Sequence, residues 1–428
     1  MKNPSVLEKL TDRDQKCIWH PLTQHKTAKP PIGITKAKGA LIWDDKGKAY
    51  IDGIASWYTA MYGHCNERIT SAISEQMQQL DFVMFSGFTH EPAVQLAEEL
   101  LPLLPGNQAK LFFNDNGSTA IEAAIKMSIQ YHHNKDQKRD TIIAFEDGFH
   151  GDTFGAMSAS GISSYNGPFE DFLLKVVRIP VPTEENSEEV LKQLEVLITT
   201  HACCSFVFEP LVQGAAGMKF HSPTGLDQLI AKCQEADILC IADEIMTGFG
   251  KTGKNFASDY LKNDPDIICL SKALTAGIFP LSITSCNQKV FDAFLSNEVS
   301  KGFFHAHTYS AHPLGCAAAL AGLELLQSME IKESQKYIAQ QHQEFVNRVQ
   351  HHPKVKNARA IGVILAVDLD LDMDRYGSVR DKLYDFFMER GVNLRPLGNT
   401  IYTLPPYVIS KEQLQQVYDA MEGALEIV

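Results

Sequence analysis

The sequence predicts an α/β protein. It has a large domain with a mostly parallel sheet between helices, joined to a smaller α+β domain drawn from both termini. Two observations lead there. From about residue 110, short apolar runs succeed one another: AKLFF, TIIAFE, KVVRIPV, SFVFEPLV, ILCIADEI, DIICLSK and PLSITSC. They alternate with helical segments such as TAIEAAIKMSIQYHH, SEEVLKQLEVLITT and LDQLIAKCQEA. Runs that are apolar throughout, with helices between them, describe strands covered on both faces of a sheet.

Taken in order, the polar start MKNPSVLEKLTDRDQK lacks the apolar core of a signal peptide. ALIWDDKGKAYIDGI at 40–54 alternates around Asp45-Lys46-Gly47 and predicts a hairpin. The expected division is residues 1–59 in the small domain, 60–325 in the large domain and 326–428 in the small domain again. The tail is read as a long polar helix, a strand pair near 360–370 and 392–404, and a final helix. No internal repeat, low-complexity tract or long Pro/Gly/Ser linker interrupts the chain.

At 428 residues, with 44% hydrophobic and 21% charged residues, the chain fits two or three globular domains and excludes disordered and fibrous classes. A net charge of -13 argues against sequence-independent nucleic-acid binding, which needs basic residues to neutralise phosphates. No apolar run approaches the roughly 18 residues of a membrane span. The nine cysteines include no C-x-x-C pair. Buried thiols in a reducing, cytoplasmic setting are expected, with no metal site.

ADEIMTGFGKTG at 242–253 imitates two phosphate loops. A P-loop needs glycine five positions before Gly250, where Ile245 stands, and a dinucleotide fingerprint places its glycines directly after the strand, where Asp243 and Glu244 stand. Side chains alternate along a strand, so only one of those two carboxylates can address a given ligand. The strand DIICLSK brings Lys272 to the same sheet edge, where open α/β sheets bind ligands. A structural ion pair is the plain alternative. FFNDNGSTAIEAAIKM adds a strand, a turn at Asn116-Gly117-Ser118-Thr119 and a helix, hence free N–H groups and hydroxyls for an anion. Simple N-capping is the alternative there. Together an anion site, a strand-end Asp and a strand-end Lys meet the needs of pyridoxal phosphate. The Asp keeps the pyridine nitrogen protonated and the Lys forms a Schiff base. Phe149-His150-Gly151 offers an aromatic face for the ring.

GSTAIEAAIKM, FHGDTFGAMS, FVFEPLVQG, ADEIMTGFGKTG and LSKALTAG resemble the class III aminotransferases of pyridoxal-phosphate fold type I, over nearly the whole chain. WHPLTQ at 19–24, IASWYTAMYGHCN at 54–66, HTYSAHPLGCAAA at 307–319 and LRPLGNTIYTLPPY at 394–407 are similar to one subfamily that aminates a long oxo acid. The resemblance implies Lys272 as the cofactor lysine and proton shuttle, and Asp243 as the pyridinium partner. Gly117 and Ser118 are implied as the phosphate turn and Phe149 as the ring-stacking aromatic. Thr308 is implied to reach the phosphate of a second subunit, hence a homodimer with shared active sites. Arg395 is implied at the substrate carboxylate, with Trp57, Tyr58, Ala306 and Tyr402 lining the substrate site. Glu209 and Gln213 match positions near the cofactor's phenolic side, with a structural role for Glu209 as the alternative. His20, His64 and His150 are read as structural. Leu22, Lys251, Ala306-His307 and Phe149 depart from the subfamily pattern, which leaves the amino donor open between S-adenosylmethionine and lysine.

Overall fold

In a computed structural model, which describes residues 9–161, 166–371, 373, 375 and 377–428, the apolar runs all enter one seven-stranded sheet. The spatial order is Gln108–Asn114, Ser282–Asn287, Ile267–Leu270, Leu239–Asp243, Cys203–Phe208, Thr141–Phe145 and Val176–Ile179. Only Ser282–Asn287 runs against the rest. The segment from Leu270 to Ser282 holds one 3-10 turn, Lys272–Thr275, and is too short for the helical crossover that parallel strands need. The reversal therefore follows from loop length.

Both faces of the sheet are covered. Leu239 and Ile241 pack into one core cluster with Ala120, Ile121 and Ala124 of the helix Gly117–Asn134. Cys240 and Ala242 pack into the other cluster, with Leu226, Leu229 and Ile230 of the helix Pro223–Glu235. This period of two carries on to the strand end, where Asp243 and Glu244 leave on opposite faces. The expected helices at Gly117–Asn134, Ser187–Thr200 and Pro223–Glu235 are all present.

The hairpin at 40–54 forms between Leu41–Asp44 and Ala49–Asp52. Its turn is held by Asp44, whose Oδ1 accepts from the N–H of Lys46 (2.9 Å) and of Lys48 (2.8 Å), and by Gly47 at φ +83°. Ile34–Lys38 and Val392–Asn393 complete a four-stranded sheet, so the chain's two ends share one layer. The tail differs from expectation in its strands and in one helix. The predicted strand at 392–404 is broken at Pro396 and Gly398. Val392–Asn393 joins the N-terminal sheet and Thr400–Thr403 pairs with Ile364–Leu369, which also pairs with Val355–Ile361. A helix at Ser378–Glu389, not foreseen, precedes the break. Among the described residues no single helix is long and apolar enough to cross a membrane.

Candidate active site

Asp243 ends the strand Leu239–Asp243 with its carboxylate 4% exposed. Oδ1 accepts from the N–H of Ile245 at 3.1 Å, and Oδ2 lies 2.8 Å from Nδ1 of the buried His150. Nδ1 must donate to a carboxylate, so His150 carries a proton there, and its buried Nε2 has no partner among the described residues. Burial works against an imidazolium at His150, but the hydrogen bond and charge of Asp243 outweigh it and raise its pKa. His150 is therefore the orienting partner of Asp243. Sequence reasoning set it aside because it looked for metal spacing, which says nothing about a carboxylate far away in the chain.

Lys272 follows the strand Ile267–Leu270 at φ +48°, a left-handed conformation rare for a long side chain. Its Nζ lies 5.4 Å from the centroid of the Tyr58 ring. Burial pushes the ammonium below its ordinary value, against the opposing pull of Asp243 and Glu209. Tyr58 belongs to a strained turn in which Ala55, Ser56, Trp57 and Tyr58 all have φ between +45° and +70°. A left-handed residue costs about 1–2 kcal/mol, so this turn must be held by its surroundings. Asp52, fully buried, does this: Oδ2 accepts from the Ser56 hydroxyl (2.7 Å) and meets His64 Nε2 (2.8 Å), while Oδ1 accepts from Asn393 (3.1 Å).

The same carboxylate thus ties the aromatic turn to the segment that carries Arg395. The Arg395 guanidinium lies 5.5 Å from the ring centroid of Trp57, which is 47% exposed, and the Tyr58 hydroxyl donates to the Tyr402 hydroxyl at 2.8 Å. Lys272, Tyr58, Tyr402, Trp57 and Arg395 form one linked group. Asp52 and His64 were missed by sequence reasoning as its supports, because their role lies in backbone strain that no residue type announces.

At the helix Gly117–Asn134, Asn116 and Thr119 form a reciprocal capping box, with Asn116 Oδ1 accepting from Thr119 N–H (3.1 Å) and Thr119 Oγ1 accepting from Asn116 N–H (3.0 Å). The Thr119 hydroxyl, expected to help hold an anion, is committed to the cap. No acceptor among the described residues meets the N–H groups of Gly117 and Ser118. Ser118 Oγ accepts from Asp152 N–H at 3.1 Å. A Cβ at Gly151 would come within 2.1 Å of that oxygen, so the Phe149-His150-Gly151 loop packs on the helix start only because Gly151 has none. Glu209, 5% exposed, accepts from Phe149 N–H at 3.0 Å and from Gly214 N–H at 2.8 Å. Burial raises its carboxyl to about 7, with His150 opposing. Gln213 donates to the Glu146 carbonyl at 2.8 Å and leaves Oε1 buried without a partner among the described residues.

Other expected positions lie apart. Ala306 and Thr308 are exposed on the loop before the helix Pro313–Gln327, and no hydrogen bond among the described residues ties them to Lys272 or Asp243. Leu22 is 52% exposed. Lys251, read as near the donor surroundings, is fully buried and donates to the Gly248 carbonyl at 2.9 Å. The apparent phosphate loop GFGKTG thus turns its lysine inward.

The residues fit pyridoxal phosphate. Two unclaimed N–H groups open a helix, a buried carboxylate is oriented by a histidine, and an amine of lowered pKa stands at the same sheet edge. Comparison with known proteins agrees. The class-III aminotransferase family matches residues 22–425. An adenosylmethionine-8-amino-7-oxononanoate aminotransferase of Synechococcus elongatus is 42% identical over 96% of this chain and 98% of its own. A crystal structure under the same enzyme name from Methanocaldococcus jannaschii overlays with a TM-score of 0.92 at 30% identity, over 98% of this chain and 99% of that one. A pyridoxal-phosphate-bound amine transaminase from an uncultivated Pseudomonas species overlays at 0.89 with 29% identity, over 96% and 98%. A match of this extent places the chain in the class-III aminotransferase family, enzymes that transfer amino groups with pyridoxal phosphate.

Proposed function

We propose that the protein aminates 8-amino-7-oxononanoate to 7,8-diaminononanoate in biotin biosynthesis, with S-adenosylmethionine as amino donor. The observation that carries the acceptor is the pair of Arg395 and Trp57, the latter next in the chain to the Tyr58 that faces Lys272: a guanidinium to hold a distant carboxylate and an apolar wall for an aliphatic chain. The names of the relatives from Synechococcus and Methanocaldococcus support the same acceptor and donor. A general amine transaminase is the second reading, favoured by the overlay on the Pseudomonas enzyme.

Bound pyridoxal phosphate supplies an electron sink for the substrate carbon that loses its proton. Gly117 and Ser118 N–H groups hold its phosphate, Asp243 keeps its ring nitrogen protonated, and His150 fixes the rotamer of Asp243. Phe149, anchored through its N–H by Glu209, supplies the stacking face. Lys272 Nζ, with a lowered pKa, is the base that takes the proton and returns it. Tyr58, held by Tyr402, covers one side of this amine, Trp57 offers an apolar wall, and Arg395 orients the acceptor. Ala306 and Thr308 complete the site of a second copy in a homodimer, an arrangement supported by the exposed apolar neighbours Phe304 (74%) and Tyr309 (57%). The reducing setting implied by seven buried free thiols supports a cytoplasmic location.

The test is a visible spectrum of the protein with pyridoxal phosphate, before and after S-adenosylmethionine. Bleaching supports both cofactor and donor. Bleaching by lysine alone shifts the donor, and no colour with the wild-type protein ends the cofactor reading.

A further inference from the structure

The loop that carries Thr308 is seated by four side chains with unusual logic. Lys126 Nζ lies 2.9 Å from His305 Nδ1, His305 Nε2 lies 3.1 Å from His307 Nε2, and His307 Nδ1 lies 3.7 Å from Asp115 Oδ2. An ammonium only donates and a carboxylate only accepts. Nδ1 of His305 must therefore be bare, its proton sits on Nε2 and points at a bare Nε2 of His307, and the proton of His307 sits on Nδ1 toward Asp115. Both histidines are neutral, and each has one permitted tautomer. Any added proton sets two donors against each other, at Lys126–His305 or at His305–His307.

We propose that Lys126, His305 and His307 form a one-way hydrogen-bond relay whose far end faces Asp115 across 3.7 Å, seating the Thr308 loop on the turn before Gly117, so that mild acid loosens the loop and releases the cofactor. The relay faces Asp115, two residues before Gly117 in the helix-start turn that would hold the phosphate, and Thr308 follows His307 directly. The inference rests on the pyridoxal-phosphate reading of that turn.

The surroundings agree. Phe303 stacks on His305 at 5.6 Å, and the strand Gln108–Asn114 presents Phe112, not a charge, to the same ring. The helix contributes Lys126 and Glu122, whose Oε1 accepts from the N–H groups of Gly155 and Ala156. Lys301 at the base of the loop pairs with Glu298. Ser310 accepts from His307 N–H at 3.3 Å and donates to the Phe113 carbonyl at 3.1 Å, which adds a non-titrating anchor. Burial, then Lys126 and His307, hold His305 below its ordinary value, with Glu122 opposing. A histidine depressed in the seated state is protonated more readily once the loop is free, so falling pH below about 6.5 drives unseating.

The experiment loads the full-length protein with pyridoxal phosphate, desalts it at pH values from 8 to 5, and measures the cofactor retained after denaturation. Wild type is expected to lose cofactor about tenfold faster at pH 5.5 than at 7.5. In His307→Gln the amide accepts from His305 without titrating, which removes the His305–His307 clash and leaves the one at Lys126, so the profile should flatten in part. In Lys126→Met the obligatory donor is gone, His305 can hold a second proton, and the profile should flatten again. A residue with only a structural role would change retention at every pH alike. A wild-type profile without acid loss, or identical profiles in all three proteins, overturns the relay while leaving the cofactor reading intact. No retention at pH 8 in wild type overturns both.

Discussion

His150 sets its Nδ1 2.8 Å from the Asp243 carboxylate, while its own buried Nε2 meets no described residue. A histidine spent in this way serves orientation. His150→Phe removes one charge-assisted hydrogen bond from Asp243, an interaction worth about 1.5–3 kcal/mol, so kcat should fall about ten- to hundredfold. The acceptor's KM should hardly move, because Arg395 and Trp57 are untouched. Steady-state kinetics checks this, and a rise in KM with unchanged kcat would reject the assignment.

Tyr58 and Tyr402 share a buried hydroxyl pair at 2.8 Å, with 4% and 2% exposure. Tyr402→Phe strands the Tyr58 hydroxyl and should destabilise the protein by about 1–3 kcal/mol. The double variant, with both hydroxyls gone, should be less destabilised than the sum of the two single changes. Chemical denaturation of the four proteins gives the coupling, and strict additivity would show that the bond contributes nothing.

Arg395 lies over Trp57, close to the strained turn held by Asp52. Arg395→Lys keeps the charge but loses the planar fork that pairs with a carboxylate and stacks on an indole. The KM for an oxo acid with a distal carboxylate should rise about tenfold or more, with little change for a ketone lacking that carboxylate. Equal effects on both ketones would remove Arg395 from the carboxylate site.

These contacts differ in how far the sequence announced them. The seven-stranded sheet was legible because its central strands, buried on both faces, are near-continuous apolar runs, as Leu239 to Ala242 show. Asp243, Lys272 and the turn at Gly117 were legible because a charge or a polar turn at a strand end is conspicuous against such runs. The partnership of His150 with Asp243 was not, since it joins a loop residue to the end of a strand far away in the chain. Nor was the turn Ala55–Tyr58, whose left-handed backbone comes from Asp52 and its partners and not from glycine. The break at 392–404 was written in Pro396 and Gly398, but which sheet each half joins depends on the tertiary packing.

Acid stability offers a last prediction, and its sign depends on competing groups. His221 and His342 are each held down to about 4 by burial, with their hydrogen bonds to the Glu209 and Val363 carbonyls opposing. Between pH 6.5 and 4 the unfolded chain binds protons that these two native histidines refuse, so each lowers stability as pH falls. His90 and His132, also depressed by burial, act in the same direction. Glu209, raised to about 7, opposes them: from 4.5 to 7 the native state holds a proton that the unfolded state releases. With His221 and His342 against Glu209, the net effect of these groups is a loss of about 1.4 kcal/mol per pH unit on going from 6.5 to 4.5. His342 bridges the Tyr418 hydroxyl (2.7 Å) and the Val363 carbonyl (3.1 Å). Replacing it by Asn should lower stability at every pH but cut the acid slope by about one proton's worth. Urea unfolding of both proteins from pH 7 to 5 measures the two slopes, and parallel lines would mean that His342 takes up its proton in the native state as readily as in the unfolded chain.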